Sequence, residues 1–581
     1  EHHYLITEDI PAIAQLGREL PLVVDLDGEM YLRPEGRGLL LGVYEREATP
    51  WSLAGTSWEF GNELLAPQLE RLAEALERGF RRLPALNQAG IRKIVNGPFT
   101  FTPDGNPLVG PVPGVPNFWS ACGVMAGFAQ GGGVGLTLAQ WMIEGEPDGD
   151  VFALDVARFG SYATPAYVAE KAREFYARRF RIAYPNEHWP AARPTRTSAL
   201  HDALARDNAV CGVSYALEIP LYFAAAGRTA AEQPTLRRSE AFADVARECR
   251  AARTAVAALD AASFAKYEVR GPGARAGLDR MLAGRLPQPG RIRLTPMLAP
   301  SGRLMGDLST VCLAADRYWI FGSGYLQAWH LRWFASVLAA ADLTIENLSD
   351  RLAGIALIGP RARELLARVS GADVGNAAFP FMSHRRLEVG LAAADVLRVS
   401  ETGELAFEIY VEAPGMRALY ERLAAAGREL GLEPIGSYAL NSLRLEKGFG
   451  HWSREYTRDY TPAMSGLARF VDYDKGGFIG RDAALRDRDT PPARRLVLLE
   501  VDAADADASF YEPLWDGATL AGFVTSGAFG HCCGKSLALG YAATAAAVPG
   551  AELAVTVLGE RRSCRVLGAP PIDPRGLRMR M

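Results

Sequence analysis

The stretch Asn117–Trp141, NFWSACGVMAGFAQGGGVGLTLAQW, decides how the first part of the chain is read. It predicts a buried strand at Phe118 and Trp119, then small residues, then an amphipathic helix. Gly123, Gly127, Gly131, Gly132, Gly133 and Gly135 crowd its middle. Two explanations fit. Glycines let a helix and a sheet pack tightly. They also let backbone approach a ligand, and a helix start offers unpaired N–H groups at the positive end of its dipole. A planar, electron-rich ligand edge suits such a place. On spacing alone both explanations stay open.

On the N-terminal side, strands alternate with helices. Tyr4–Thr7 predicts a strand, Leu22–Asp25 and Met30–Arg33 a hairpin, and Leu39–Tyr44 a further strand. Leu69, Leu72, Leu76 and Phe80 recur at helical spacing, and Ile91–Asn96 follows as a strand. A Pro- and Gly-punctuated loop from Gly97 to Pro111 leads into the opening stretch. The chain begins inside a strand with no initiator Met and no signal peptide, which suggests a missing upstream segment.

On the C-terminal side, Tyr167–Arg179 predicts a charged helix, followed by a Pro- and Arg-rich passage from Tyr184 to Arg196. From about 235 to 470, strands such as Leu294–Leu298, Tyr318–Phe321 and Glu408–Val411 mix with helices such as Ala274–Leu282 and Met416–Ala425. The last part, about 495 to 581, is short strands with Gly and Pro turns, the pattern of a small β-barrel or jelly roll. The expected fold class is therefore multidomain α+β.

Composition narrows the function. With 581 residues the chain exceeds one core. Its 49% hydrophobic and 22% charged residues describe a globular protein, and a net charge of −4 gives no electrostatic case for nucleic acid or an anionic membrane. No apolar run of about 18 residues predicts a membrane span. Seven cysteines are scattered without a CxxC pair, which fits a reducing compartment, and a cytoplasmic location is expected. The neighbours Cys532 and Cys533 suit two small buried residues better than a redox switch. The eight histidines show no zinc spacing, so no metal is expected. No GxGxxG fingerprint and no P-loop occurs. GGGVG at 131–135 lacks the acidic ribose binder that a dinucleotide site needs.

Five blocks together resemble the dimethylglycine dehydrogenase and sarcosine dehydrogenase family. They are EHHYLIT at 1–7, NGPFTFTPDGNPLVGP at 96–111, the opening stretch, SLRLEKGFGHW at 442–452 and GFVTSGAFGHCCGKSLALGY at 522–541. The resemblance covers essentially the whole chain. It implies a flavin amine-oxidase part joined to a folate-binding part like the aminomethyltransferase of the glycine cleavage system. The implied domains are 1–155, the C-terminal part of an FAD-dependent amine oxidoreductase domain; 156–225, a linker subdomain; 226–485, an aminomethyltransferase-like folate domain; and 486–581, a C-terminal β-barrel. The Rossmann half with which such enzymes begin is not in this sequence, so the chain is expected to hold FAD poorly by itself.

The resemblance also implies a site. His2 and Tyr31 match the family's histidine and tyrosine on the substrate face of the flavin, where they can orient or deprotonate an amine. Gly123, Val124, Met125, Ala126, Gly127, Phe128 and Gly131 would line the flavin ring. Asp307, in APSGRLMGDL at 299–308, matches the aspartate that contacts folate nitrogens, and Glu408 the acceptor of the pterin's N–H edge. Three departures surround that second site. Glu401 stands where an aromatic residue is usual, Ala406 where glycine is, and Met464 where glutamate is. Gly450 likewise replaces a basic residue, and Arg444 reads as a structural ion-pair residue.

The activity thus implied is oxidative demethylation of a small N-methyl amine with FAD, the one-carbon unit going to tetrahydrofolate. The electron acceptor would be oxygen or an electron-transfer flavoprotein. The alternatives are a folate-dependent aminomethyltransferase-like protein without oxidase activity, or a non-catalytic regulatory relative.

Overall fold

The computed structural model describes residues 1–581. It divides into two compact units, one comprising residues 1–184 and 189–193, the other residues 185–188 and 194–581. The stretch expected as a linker subdomain, 156–225, is shared between the two.

In the first unit, β1 (His2–Thr7), α1 (Pro11–Ala14), β2 (Val23–Asp25), β3 (Met30–Glu35) and β4 (Gly38–Val43) precede α2 (Ala73–Arg82) and β5 (Ile91–Gly97). The five strands form one sheet in the order β2-β3-β4-β1-β5. β4 lies at its centre, and its sequence GLLLGV is buried at every position, as a strand covered on both faces must be. β1 instead alternates. His3, Leu5 and Thr7 point into the core, which leaves His2 and Tyr4 on the opposite face. The same alternation buries Met30 and Leu32 of β3 and turns Tyr31 to the face of His2. The helix marked by Leu69, Leu72, Leu76 and Phe80 is a 3-10 turn, Leu69–Leu72, running into α2.

The opening stretch forms β7 (Trp119–Cys122), paired with β6 (Leu108–Pro111), and then α3 (Gly127–Glu144). Phe118 is outside the strand and 58% exposed, contrary to the sequence expectation. Within the ribbon, Val109, Gly110 and Ser120 are the buried positions, with Trp141 of α3 packed against Gly110. The helix also differs from the expected amphipathic one. Only Val134 and Trp141 are buried, while Phe128, Leu136, Met142 and Ile143 are exposed. The charged helix is α4 (Pro165–Ala177), capped by Thr164, whose hydroxyl accepts the Tyr167 N–H at 3.3 Å.

The second unit contains a six-stranded sheet, a five-stranded sheet and a closed six-stranded barrel, with helices between them. The larger sheet carries Val256–Asp260, Leu352–Ile358 and Ala406–Glu412 at its centre. The smaller carries Ile292–Leu298, Leu304–Ala314, Arg317–Ser323 and Phe264–Arg270. The barrel is built from strands between Arg494 and Leu567 and resolves the β-barrel or jelly-roll expectation as a closed barrel. Arg444 is an ion-pair residue, as its sequence setting implied. It donates to Glu455 at 3.0 Å, to Ser526 and to the Phe449 carbonyl. No helix is long and apolar enough to cross a membrane.

Candidate active site

In the first unit the structure brings His2 and Tyr31 together. His2 Nε2 lies 3.1 Å from the Tyr31 hydroxyl, although β4 runs between their strands. The reach is possible because Tyr31 pairs with Gly42. A Cβ on Gly42 would fall 1.9 Å from Tyr31 Cζ, so the ring lies flat across the space that any other residue would fill. The second imidazole nitrogen, Nδ1, lies 3.0 Å from the hydroxyl of Tyr176, near the end of α4. Tyr176 in turn donates to Glu45 Oε2 at 2.7 Å, and Arg71 donates to Glu45 Oε1 at 2.7 Å.

Aromatic rings wall this group. Tyr44 and Phe99 stand 4.7 and 5.0 Å from the His2 ring, centroid to centroid, and Phe101 packs against Phe99 and Tyr176. Burial, reinforced by neighbouring His3, lowers the His2 pKa to about 4, so its ring is neutral near pH 7. Burial raises Tyr31 and Tyr176 far above the ordinary phenol range, so both keep their protons. Sequence reading found His2 and Tyr31 but missed Tyr44, Glu45 and Tyr176. Nothing in the local pattern separates Tyr176 from an ordinary helix tyrosine.

Of the expected flavin-facing residues, Gly123 packs next to these walls. Thr102, next to Phe101, is the nearest neighbour of Gly123, at 2.6 Å from a Cβ placed there. Val124, Met125 and Ala126 link Gly123 to α3, with the Met125 N–H donating to the Gly123 carbonyl at 2.9 Å. A Cβ on Gly127, Gly131, Gly132, Gly133 or Gly135 would meet no atom within 4 Å. Tight packing inside this chain therefore does not explain these glycines. Phe128 is fully exposed, and the buried Gln130 Oε1 has no hydrogen-bond partner. A helix start, small residues and an unsatisfied polar atom fit the ring end of a flavin.

The second unit holds a different constellation. Glu401 and Glu408 line a small cavity with Leu259, Phe264, Ala356, Ile358, Ser400 and Leu440. Asp307, on the strand Leu304–Ala314, is close enough to Glu401 to raise its pKa. The Tyr410 hydroxyl donates to Glu408 Oε2 at 2.8 Å. Behind it, the Lys266 ammonium donates to the Phe264 carbonyl at 3.0 Å and lies over the Tyr410 ring. Burial pushes Asp307 and Glu408 up to about 7. It pushes Glu401 to about 8, with Glu408 and Asp307 adding to the shift. Glu401 is nevertheless solvent-exposed, so water moderates this shift. Ser400 Oγ is buried without a partner. Carboxyl groups, a buried hydroxyl without a partner and apolar walls have the chemistry to receive the N–H-rich edge of a flat ring. Ala406 sits in the same wall. Met464 belongs to the short helix Pro462–Ser465 and is not among the residues that line this cavity. A larger surface hollow, about 450 Å³, is lined by other residues, among them Arg270, Asp316 and Arg317.

The raised Glu401 carboxyl gives a stability signature. The folded state binds its proton more tightly than the unfolded chain, so its contribution is complete below the ordinary value of 4.5 and lost as pH rises through about 8. Glu401→Gln removes that loss. The variant is expected to melt at a higher temperature than the parent above pH 8 and at the same temperature below pH 4.5. Thermal unfolding across this range checks it. A difference that does not change with pH would refute the assignment.

Comparison with known families accounts for most of the chain. Residues 1–141 match the model "FAD dependent oxidoreductase", and 144–198 match "FAD dependent oxidoreductase central domain". Residues 200–475 match "GCVT N-terminal domain", and 494–573 match "Glycine cleavage T-protein C-terminal barrel domain". Mitochondrial dimethylglycine dehydrogenase of Mus musculus is 33% identical over 590 aligned residues, covering 100% of this chain and 68% of the mouse protein. Mitochondrial sarcosine dehydrogenase of Homo sapiens is 30% identical, covering 93% of this chain and 63% of the human protein. Among solved structures, the glycine cleavage system aminomethyltransferase T from Bartonella henselae superposes with a TM-score of 0.57. It is 24% identical and covers 65% of this chain and 98% of its own, which shows a shared fold.

Proposed function

This chain belongs to the dimethylglycine dehydrogenase family, and from that premise we propose that it serves FAD-dependent oxidative demethylation of an N-methyl amine such as dimethylglycine or sarcosine. The one-carbon unit passes to tetrahydrofolate. The observation that carries the reading is the His2–Tyr31 pair, 3.1 Å apart within an aromatic enclosure, in the part matched by the FAD oxidoreductase model.

FAD, when bound, supplies the hydride acceptor, and Gly123, Val124, Met125, Ala126, Gly127, Phe128 and Gly131 would hold its ring end. The chain's own residues do the rest. Tyr44, Phe99 and Phe101 give the amine an apolar, π-rich seat and exclude water. Neutral His2 and the Tyr31 hydroxyl orient its nitrogen. In the second unit, Glu408 accepts hydrogen bonds from the pterin edge. Asp307 holds or moves a proton near the folate nitrogens, a task suited to a carboxyl raised to about 7.

The decisive experiment follows the visible flavin bands, in the natural full-length context of this chain, on anaerobic addition of N-methylated glycines. Bleaching is expected. Bands that persist with every such amine would overturn the reading and favour the aminomethyltransferase alternative. Repeating the turnover with oxygen, then with an electron-transfer flavoprotein, identifies the electron acceptor. A companion variant, Asp307→Ala, is expected to leave flavin reduction intact and to raise free formaldehyde when tetrahydrofolate is present. An unchanged formaldehyde yield would remove Asp307 from the mechanism.

A further inference from the structure

We infer that Glu45 and Tyr176 are positioning residues that fix the tautomer of His2 and thereby make the Tyr31 oxygen a hydrogen-bond acceptor toward the substrate amine. This inference rests on the oxidoreductase reading of the site and adds its proton inventory.

The inventory follows from counting donors along one chain of contacts. Arg71 has only donors, and it places Nη2 on Glu45 Oε1 at 2.7 Å. Glu45, paired in this way, offers acceptors only. The Tyr176 hydroxyl, 2.7 Å from Glu45 Oε2, must therefore donate its single proton to that oxygen. Toward His2 Nδ1, 3.0 Å away, the Tyr176 oxygen can only accept. Nδ1 thus carries the hydrogen. A neutral imidazole has one N–H, so Nε2 presents its lone pair, and the Tyr31 hydroxyl at 3.1 Å must donate to it. Burial supports the neutral state of the ring.

The consequence lies on the far side of Tyr31. With its proton committed to His2, the Tyr31 oxygen has only lone pairs left to offer. An ammonium N–H can be received there. A partner that brings only acceptors cannot. The site therefore selects an amine that arrives with an N–H, namely a protonated secondary or tertiary amine. The aromatic rings alone would accept a quaternary ammonium equally well.

The chain of donors can be reversed by one near-isosteric change. In Glu45→Gln, Arg71 takes the amide oxygen, which turns the amide N–H2 toward Tyr176. Tyr176 then accepts from the amide and gives its own proton to His2 Nδ1. His2 must switch to the Nε2–H tautomer and donate to Tyr31. The test is nitrogen NMR of the chain labelled with ¹⁵N-histidine, in which His2→Gln identifies the His2 resonances. Nδ1 is expected to be the protonated nitrogen in the parent, and Nε2 in Glu45→Gln, with the other histidine signals unmoved except those of His3, whose Nδ1 lies 3.8 Å from Glu45 Oε1. Should Glu45→Gln fail to fold, Tyr176→Phe serves instead. There Nδ1–H loses its acceptor, and a mixture of tautomers is expected.

The same tautomer in the parent and in every folded variant, or an unprotonated Nδ1 in the parent, would overturn the inference. This readout needs no bound flavin. If no amine bleaches the flavin while the tautomer switches as stated, the oxidoreductase reading falls and the proton inventory stands. If amines bleach the flavin and the tautomer does not respond, the reverse holds. In the flavin-loaded protein, preference for a protonated tertiary amine over its quaternary analogue should be roughly tenfold, the worth of one good hydrogen bond, and should disappear in Glu45→Gln.

Discussion

Gly42→Ala is expected to slow amine-driven flavin reduction by roughly a hundredfold, the cost of misplacing a reacting partner by about 1 Å, while the sheet stays folded. The added methyl would sit 1.9 Å from Tyr31 Cζ and 2.3 Å from its hydroxyl oxygen. No side-chain adjustment of alanine relieves that overlap, so the ring must lift from the sheet and the contact to His2 Nε2 is lost. The strand itself does not suffer, because alanine loses less backbone entropy on folding than glycine. Rapid-mixing measurement of flavin reduction, alongside a thermal melt, separates the two effects. Tyr31→Phe is the control, since it deletes the hydroxyl without moving the ring. A Gly42→Ala protein that reduces flavin at the parent rate would remove the His2–Tyr31 pair from the chemistry.

Arg253→Met is expected to destabilise the second unit by about 3–5 kcal/mol, the range seen when one partner of a buried ion pair is deleted. Arg253 donates to Glu404 at 2.8 Å and to Glu446 at 2.9 Å, and all three side chains are almost wholly buried. Methionine fills much of the volume but leaves two carboxylates facing each other in the interior. Glu446 keeps two backbone donors, the N–H groups of Cys532 and Cys533 at 2.6 and 3.0 Å. Glu404 keeps Arg578, which is half-exposed and screened by solvent. Neither replaces a guanidinium. Denaturant unfolding monitored in this unit checks the figure, and a loss below about 1 kcal/mol would mean that Arg253 is no more than a surface-like pair. The same network explains the vicinal cysteines. Their N–H groups serve Glu446, and burial raises both thiols to about 11, a structural role and not a redox one.

Sequence alone determined what local pattern can encode. Alternation along His2–Thr7 and Met30–Arg33 places His2 and Tyr31 on the face opposite Leu5 and Leu32, because successive strand residues point to opposite sides. Gly and Pro punctuation marks the short strands that close as the barrel. The order of blocks along the chain carries the family. Asn117–Trp141 yields its strand, loop and helix by periodicity, with Phe118 misplaced, outside the strand and exposed.

Tertiary structure decided the rest. Only sheet order reveals that β4 separates His2 from Tyr31 and that Gly42 lets one ring cross it. Glu45 follows the fourth strand and Tyr176 closes a helix far along the chain, so no spacing rule joins them to His2. Their hydrogen bonds span 131 and 174 positions. The glycines of α3 were equally ambiguous in sequence. Packing and ligand approach demand the same residue, and only the structure shows that no neighbour in this chain lies within 4 Å of a Cβ placed on Gly127, Gly131, Gly132, Gly133 or Gly135. Charge states belong to this second class too. Glu401, Glu408 and Asp307 are ordinary acids in sequence, and only the fold shows that burial raises each of them, with Glu408 and Asp307 adding to the shift of Glu401.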